Sequence, residues 1–258
     1  MNGDLTLLID AARRAGATAM RYWRATPKAW EKPGGAGPVS EADLAVNDLL
    51  AGDLRAARPA YGWLSEESAD DRARLQAHKC FIIDPIDGTR AFLDGSPDFA
   101  LSLAVADAGR ISAAVVYLPA KDRLYTASAD GAALCNDRPI RRSDRTTLDG
   151  ATLLTARASL APDHWRHGQP PPVARNFRSS LAWRLCLVAE GAYDAMMTLR
   201  PTWEWDVAAG SLIAMRAGAL ATDRHGEPLL FNRPAPRTAG CITATPVIHD
   251  ALLERLLP

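Results

Sequence analysis

The sequence predicts an α+β fold made of two halves. Three observations point to it. Two β-rich runs, 99–107 and 111–118, flank Gly109 and predict an antiparallel hairpin. In the last hundred or so residues, strand-like and helix-like segments alternate, the pattern of an α/β half. Between these regions the chain turns polar through Arg141, Arg142, Ser143, Asp144 and Arg145. The expected organisation is an N-terminal α+β half over 1–145, with an antiparallel sheet, and a C-terminal α/β half over 146–258 that completes a cleft.

The elements follow in order. Residues 4–25 have helical periodicity, with Leu5, Leu8, Ile9, Ala12, Ala15, Ala19 and Trp23 on one face. Residues 32–38 (Lys-Pro-Gly-Gly-Ala-Gly-Pro) are a run of breakers and predict a mobile loop, of a composition suited to a lid. Ser40, with Asp43 three residues on, reads as an N-cap and capping-box acid opening a helix to about Ala57. Residues 61–64 are a short strand leading into Ser65-Glu66-Glu67-Ser68. Phe81-Ile82-Ile83 is a strand ending at Asp84. A meander over 124–127 and 132–134 follows the hairpin. In the second half, strands are expected at 151–155, 193–199 and 242–244, and helices at 180–190, 206–217 and 249–257. Residues 164–173 are Pro-rich and read as an exposed loop. No internal repeat is present.

Composition bounds the function. The chain has 258 residues, 48% of them hydrophobic and 23% charged, an ordinary globular balance. Thirty basic residues offset thirty acidic ones, which argues against a chain built to coat a nucleic acid polymer or an anionic membrane. Cys80, Cys135, Cys186 and Cys241 form no C-x-x-C pair, so reduced thiols in a cytoplasm are the simplest reading. No basic n-region with an apolar h-region opens the sequence, and no eighteen-residue apolar run predicts membrane insertion.

The chemistry concentrates in Asp84-Pro85-Ile86-Asp87-Gly88-Thr89. Two carboxylates at a strand end suit a divalent cation, and the Ile86 carbonyl between them can add an oxygen. Gly88 and Thr89 offer N–H groups where a helix could begin, a place for a phosphate. Further acids stand at element boundaries: Asp43, Glu66-Glu67 and Asp206. Each alone has a plain structural reading. Asp43 caps a helix, Asp206 favours a helix dipole, and Glu66-Glu67 could be a solvated loop end. Converging carboxylates repel unless cations join them. With no His or Cys in the set, Mg²⁺ suits them better than Zn²⁺.

The stretches Pro38-Val39-Ser40-Glu41-Ala42-Asp43, Ser65-Glu66-Glu67-Ser68, Ile83-Asp84-Pro85-Ile86-Asp87-Gly88-Thr89 and Trp205-Asp206-Val207-Ala208-Ala209-Gly210 resemble, in order and spacing, the inositol monophosphatase superfamily of Mg²⁺-dependent, lithium-sensitive phosphatases. The resemblance implies a layered αβαβα sandwich and direct hydrolysis of a small phosphate ester. It implies two or three Mg²⁺ ions per site. Glu66, Asp84 and the Ile86 carbonyl would hold the first. Asp84, Asp87 and Asp206 would hold the second, with Glu66 near a third. It gives Thr89, bonded to Asp43, the role of orienting the attacking water, with Glu66 as an acidic neighbour. It assigns phosphate to the N–H groups of Gly88 and Thr89, and the substrate's organic part to the backbone at Ser179 and Ser180. The family often forms homodimers.

Subclass rests on departures from the inositol-type pattern. Seven residues before Asp206, where an inositol monophosphatase carries Glu, this chain has Leu199, followed by Arg200. Pro201-Thr202-Trp203-Glu204-Trp205-Asp206 and the Arg90 that follows Thr89 resemble the 3′(2′),5′-bisphosphate nucleotidase branch, which serves sulfur metabolism. Arg90 or Arg200 could meet a second phosphate. Arg90 could equally be an exposed first-turn residue. Three readings stay open: a bisphosphate nucleotidase, an inositol or sugar phosphomonoesterase, and a non-catalytic binding relative. Trp183 and Trp205 read as core, whereas Trp63 and Trp203 could flank the cleft.

Overall fold

The structure is a computed structural model and describes residues 3–35 and 37–257. In the first half, α1 (Gly3–Tyr22) is followed by β1 (Ala29–Glu31), β2 (Pro38–Ser40), α2 (Glu41–Ala57), β3 (Gly62–Ser65), β4 (Lys79–Asp87) and α3 (Thr89–Leu93). Then come β5 (Ala100–Asp107), β6 (Arg110–Leu118), β7 (Arg123–Ser128), β8 (Leu134–Cys135) and β9 (Arg138–Pro139). Strands β3 to β9 form one sheet in chain order, parallel only between β3 and β4.

The second half carries β10 (Thr152–Thr155), β11 (Ala174–Asn176), α4 (Leu181–Ala189), β12 (Ala195–Thr198), β13 (Thr202–Trp203) and α5 (Glu204–Arg216). It ends with β14 (Leu220–Thr222), β15 (Arg237–Thr238), β16 (Cys241–Ala244) and α6 (Pro246–Arg255). Its main sheet has the order β11-β10-β12-β16-β14.

Alternation along the strands decides the layers. Phe81 and Ile83 of β4 point to α1 and α2, where they meet Leu8, Val46 and Leu50. Ile82 points the other way, into a core with Leu185 of α4 and Ile213 of α5. That middle helical layer also covers Leu154 and Met196 of the second sheet. The opposite face of the second sheet presents Leu153, Met197 and Ile242 to Ile248 and Leu252 of α6. The five layers therefore run α-β-α-β-α, as expected. Gly210 explains the glycine that closes the Trp205–Gly210 motif. A Cβ there would lie 2.6 Å from the Leu185 side chain, so α5 could not approach α4 as it does.

Several expectations are corrected. The 32–38 segment is not simply a mobile loop. Its flanks pair as the antiparallel ladder β1–β2, with Trp30 opposite Val39. Its Ala36 lies outside the described residues. Strand β4 does not stop at Asp84 but continues through Asp87, with a register shift between them. Three residues of β4 span two of β5, because Pro85 has no N–H for the ladder and the chain bulges there. Helix α5 starts at Glu204, and α6 at Pro246, whose fixed φ suits a first helical turn. Strands β11 and β14 have three residues each, too few to show a period.

Candidate metal and phosphate site

The β4 bulge places Asp84 and Asp87 beside Asp206, in the first turn of α5. One carboxylate oxygen from each lies within 4.8 Å of the others. Asp84 is buried, and its Oδ1 has no hydrogen-bond partner. Burial, together with the charges of Glu66, Asp87 and Asp206, holds the Asp84 carboxyl well above the ordinary range. Asp206 is raised in the same way, by burial and then by Asp87 and Glu66. Asp87 is pushed by burial up to about 6 while the Ser180 hydroxyl opposes the shift. Two buried carboxylates and a half-buried one that repel one another, with an orphaned oxygen and no nitrogen or sulfur donor, fit a hard divalent cation.

Asp43 does two jobs with two oxygens. Its Oδ2 accepts from the Ser40 N–H at 2.9 Å and the Ser40 hydroxyl at 2.6 Å, completing the capping box. Its Oδ1 is left to accept from the Thr89 hydroxyl at 3.1 Å. The Ile86 carbonyl lies 3.2 Å from the same hydroxyl. With its proton directed at either acceptor, Thr89 Oγ1 keeps lone pairs for a water. Burial raises Asp43, against the hydrogen bonds from Ser40 and Thr89. Thr89 opens α3 behind Gly88, whose φ is 97°. A Cβ at Gly88 would also meet the Asp98 carbonyl at 3.2 Å, so the position requires glycine on two counts.

Glu66 stands beside the trio rather than inside it. Lys32 Nζ donates to Glu66 Oε1 at 2.7 Å and to Glu67 Oε1 at 2.6 Å. Burial alone would lower Lys32, but the two carboxylates raise it. Burial pushes Glu67 up to about 7 despite the ammonium. Lys32 belongs to no motif in the sequence. Its one signal was a lone cation next to the Pro-Gly run, at no characteristic spacing.

Ser180 caps α4, and its hydroxyl donates to Asp87 Oδ2 at 2.6 Å. The Ser180 side chain is thus committed to a carboxylate, which leaves its backbone, the part expected to meet substrate, beside the exposed Ser179. Arg90 is exposed on α3. Trp183 and Trp205 are buried. Trp203 cannot offer a free face: Trp205 stacks on it at 4.6 Å and 12°, and Arg237 sits 3.7 Å from the ring centre. Trp63 is half-buried, its indole N–H donating to the Ser68 hydroxyl and its ring meeting Phe81 edge-on.

The model of the family described as Inositol monophosphatase family matches residues 4–257, nearly the whole chain. The chain belongs to the inositol monophosphatase family. An inositol-1-monophosphatase of Rhizobium meliloti (strain 1021) is 35% identical over 232 residues, 86% of each chain. A 3′-phosphoadenosine 5′-phosphate phosphatase of Mycobacterium leprae (strain TN) is 32% identical over 259 residues, covering 90% of this chain and 86% of its own. The crystal structure of the extragenic suppressor protein suhB from Bartonella henselae superposes with a TM-score of 0.83 at 29% identity over 98% of both chains. The fold is that of the inositol monophosphatase family, and this member is a metal-dependent phosphoric monoester hydrolase. Among the described residues no helix is long and apolar enough to cross a membrane.

Proposed function

We propose that this phosphatase uses Mg²⁺ and acts best on a 3′(2′),5′-bisphosphate nucleotide, releasing the 3′-phosphate of 3′-phosphoadenosine 5′-phosphate. The observation that carries the substrate reading is Leu199. The position where an inositol-type site would place a carboxylate for sugar hydroxyls holds a buried leucine packed in the C-terminal core. The next residue, Arg200, is exposed and close enough to act on Asp206. A cation there favours a substrate with a second anionic group. The relative from Mycobacterium leprae is named for that ester.

In this reading Asp84, Asp87, Asp206, Glu66 and the Ile86 carbonyl hold the cations. Bound Mg²⁺ supplies charge neutralisation and makes a water easier to deprotonate. The residues do the rest. Thr89, its proton turned to Asp43, accepts from the attacking water and aligns it. The N–H groups of Gly88 and Thr89 hold phosphate oxygens where charge develops. Glu66 adds an acceptor beside the water once Lys32 shares its charge with Glu67. The four cysteines are free and buried, which suits a reducing cytoplasm.

The inositol-1-phosphate reading is favoured by the 35% identical relative. A side-by-side kcat/KM for 3′-phosphoadenosine 5′-phosphate and inositol 1-phosphate separates the two. The expected result is a preference for the nucleotide of about tenfold or more, about 1.4 kcal/mol of transition-state discrimination. A similar preference for the inositol ester would overturn the nucleotidase reading.

A further inference from the structure

Helix α4 has the sequence Leu-Ala-Trp-Arg-Leu-Cys-Leu-Val-Ala, with Arg184 its one charged residue. Arg184 is buried, only 7% exposed. It lies four residues beyond Ser180, one turn along the helix on the same side that meets Asp87. Two contacts fix its guanidinium. Nε donates to the Arg178 carbonyl at 2.6 Å, and Cζ lies 4.3 Å from the Phe177 ring centre. Both partners belong to the segment that leads into α4 at Ser179 and Ser180.

Neither contact supplies a counter-charge. Among the described residues, no carboxylate pairs with Arg184, and its two terminal nitrogens donate to no protein acceptor. The charged groups near enough to act on it are Asp87 and Asp206, which attract, and Arg200, which repels. Burial lowers its pKa to about 10, so it is a cation at neutral pH. A buried, unpaired charge is costly. Asp87 and Asp206 offset it at a distance while they carry free negative charge. Once those carboxylates hold divalent cations, their pull on Arg184 is cancelled. Arg184 and Arg200 are then two cations near a positive site, and a ligand must bring the compensating charge.

The Nε edge and one face of the Arg184 guanidinium are used, and the two-nitrogen fork is left. That fork matches a phosphate in a bidentate arrangement. We propose that Arg184, assisted by Arg200, is an oxyanion subsite beside the metal carboxylates and takes the second phosphate of a bisphosphate substrate. The proposal rests on the nucleotidase reading above and assigns that phosphate to Arg184 rather than to the exposed Arg90.

The test compares Arg184→Gln and Arg184→Lys with wild type on two substrates, 3′-phosphoadenosine 5′-phosphate and 3′-AMP, which lacks the 5′-phosphate. The ratio of kcat/KM for the bisphosphate over 3′-AMP should fall about tenfold or more in Arg184→Gln, through KM rather than kcat. Arg184→Lys, with charge but no fork, should recover part of the ratio. An unchanged ratio, whether both substrates lose equally or neither loses, would overturn the subsite. Should Arg184→Gln fail to fold cooperatively, Arg200→Gln on the exposed residue carries the same test, with the ratio again expected to fall and an unchanged ratio again fatal. A wild type that prefers inositol 1-phosphate overturns the nucleotidase reading, while the ratio still decides the subsite. A wild type that cleaves neither nucleotide overturns both.

Discussion

The hydroxyl of Ser180 donates to Asp87 Oδ2 across 2.6 Å, and the Ala182 N–H reaches the same oxygen at 2.6 Å. The two residues are 93 positions apart, and the contact joins the first turn of α4 to the β4 bulge. One oxygen of Asp87 is thus spent on the protein, which leaves Oδ1 for a cation and fixes its direction.

Ser180→Ala should therefore do two things. It removes a hydrogen bond to a buried carboxylate, worth roughly 1–3 kcal/mol. It should also weaken the response of Tm to Mg²⁺, because Asp87 loses its orientation. Thermal unfolding with EDTA and with Mg²⁺ measures both. An unchanged Tm in EDTA would show that Ala182 alone suffices to hold the carboxylate.

Asp84→Asn and Asp206→Asn each take one acid out of a close, mutually repelling trio. Each should abolish Mg²⁺-dependent phosphate release, yet raise the Tm of the metal-free protein. The rise in Tm on adding Mg²⁺ should shrink or vanish. Near-normal turnover by either variant would remove that residue from the site.

Stability of the metal-free protein should fall as pH rises. Asp87 is raised to about 6, Glu67 and Glu204 to about 7, and Asp84 and Asp206 are raised as well. Carboxyls with a folded pKa above the unfolded one, about 4, leave the folded state with more bound protons. Unfolding then releases protons, so rising pH favours it across the span from about 4 to about 7. Denaturation midpoints in EDTA should decline over that span, and Mg²⁺ should flatten the part due to the trio. A midpoint that climbs steadily with pH in EDTA would contradict the burial of these acids.

Thr89→Ala should keep the stabilisation by Mg²⁺ and lose kcat by roughly 10²–10⁴, the usual scale of a lost proton-handling group. Steady-state kinetics at saturating metal reads it. An unaltered kcat would end the role of Thr89 in aligning water.

Lys32→Gln removes the ammonium that Glu66 and Glu67 share. The metal-free protein should lose stability, because two half-buried acids are left unpaired. The gain in Tm on adding Mg²⁺ should be larger than in wild type, since a cation then replaces the ammonium. A smaller gain would mean that Lys32 does not compete with metal for Glu66.

The elements that were legible owed their clarity to local rules. Helix α2 was readable from Ser40 and Asp43 because a capping box is decided within four residues. The β5–β6 hairpin was readable from period two and Gly109. Three-residue strands such as β11 carry no period and went unseen. The extension of β4 through Pro85 also went unseen, because a proline in a strand is tolerated only where a bulge removes the need for its N–H.

For the site, the acids at element boundaries were legible in the chain as hard oxygen donors, and the order of the four stretches carried the resemblance that implies their roles. Which oxygen does what came from packing. The register of β4 against β5 and the approach of α5 to α4 at Gly210 bring Asp84, Asp87 and Asp206 to one point. The same packing spends one oxygen of Asp87 on Ser180, lays Lys32 across Glu66 and Glu67, and buries Arg184 against the Arg178 carbonyl with no carboxylate paired to it among the described residues. Such contacts join residues dozens of positions apart. No local backbone preference encodes them, because they exist only after the five layers have closed and set which side chains share a buried, low-dielectric space.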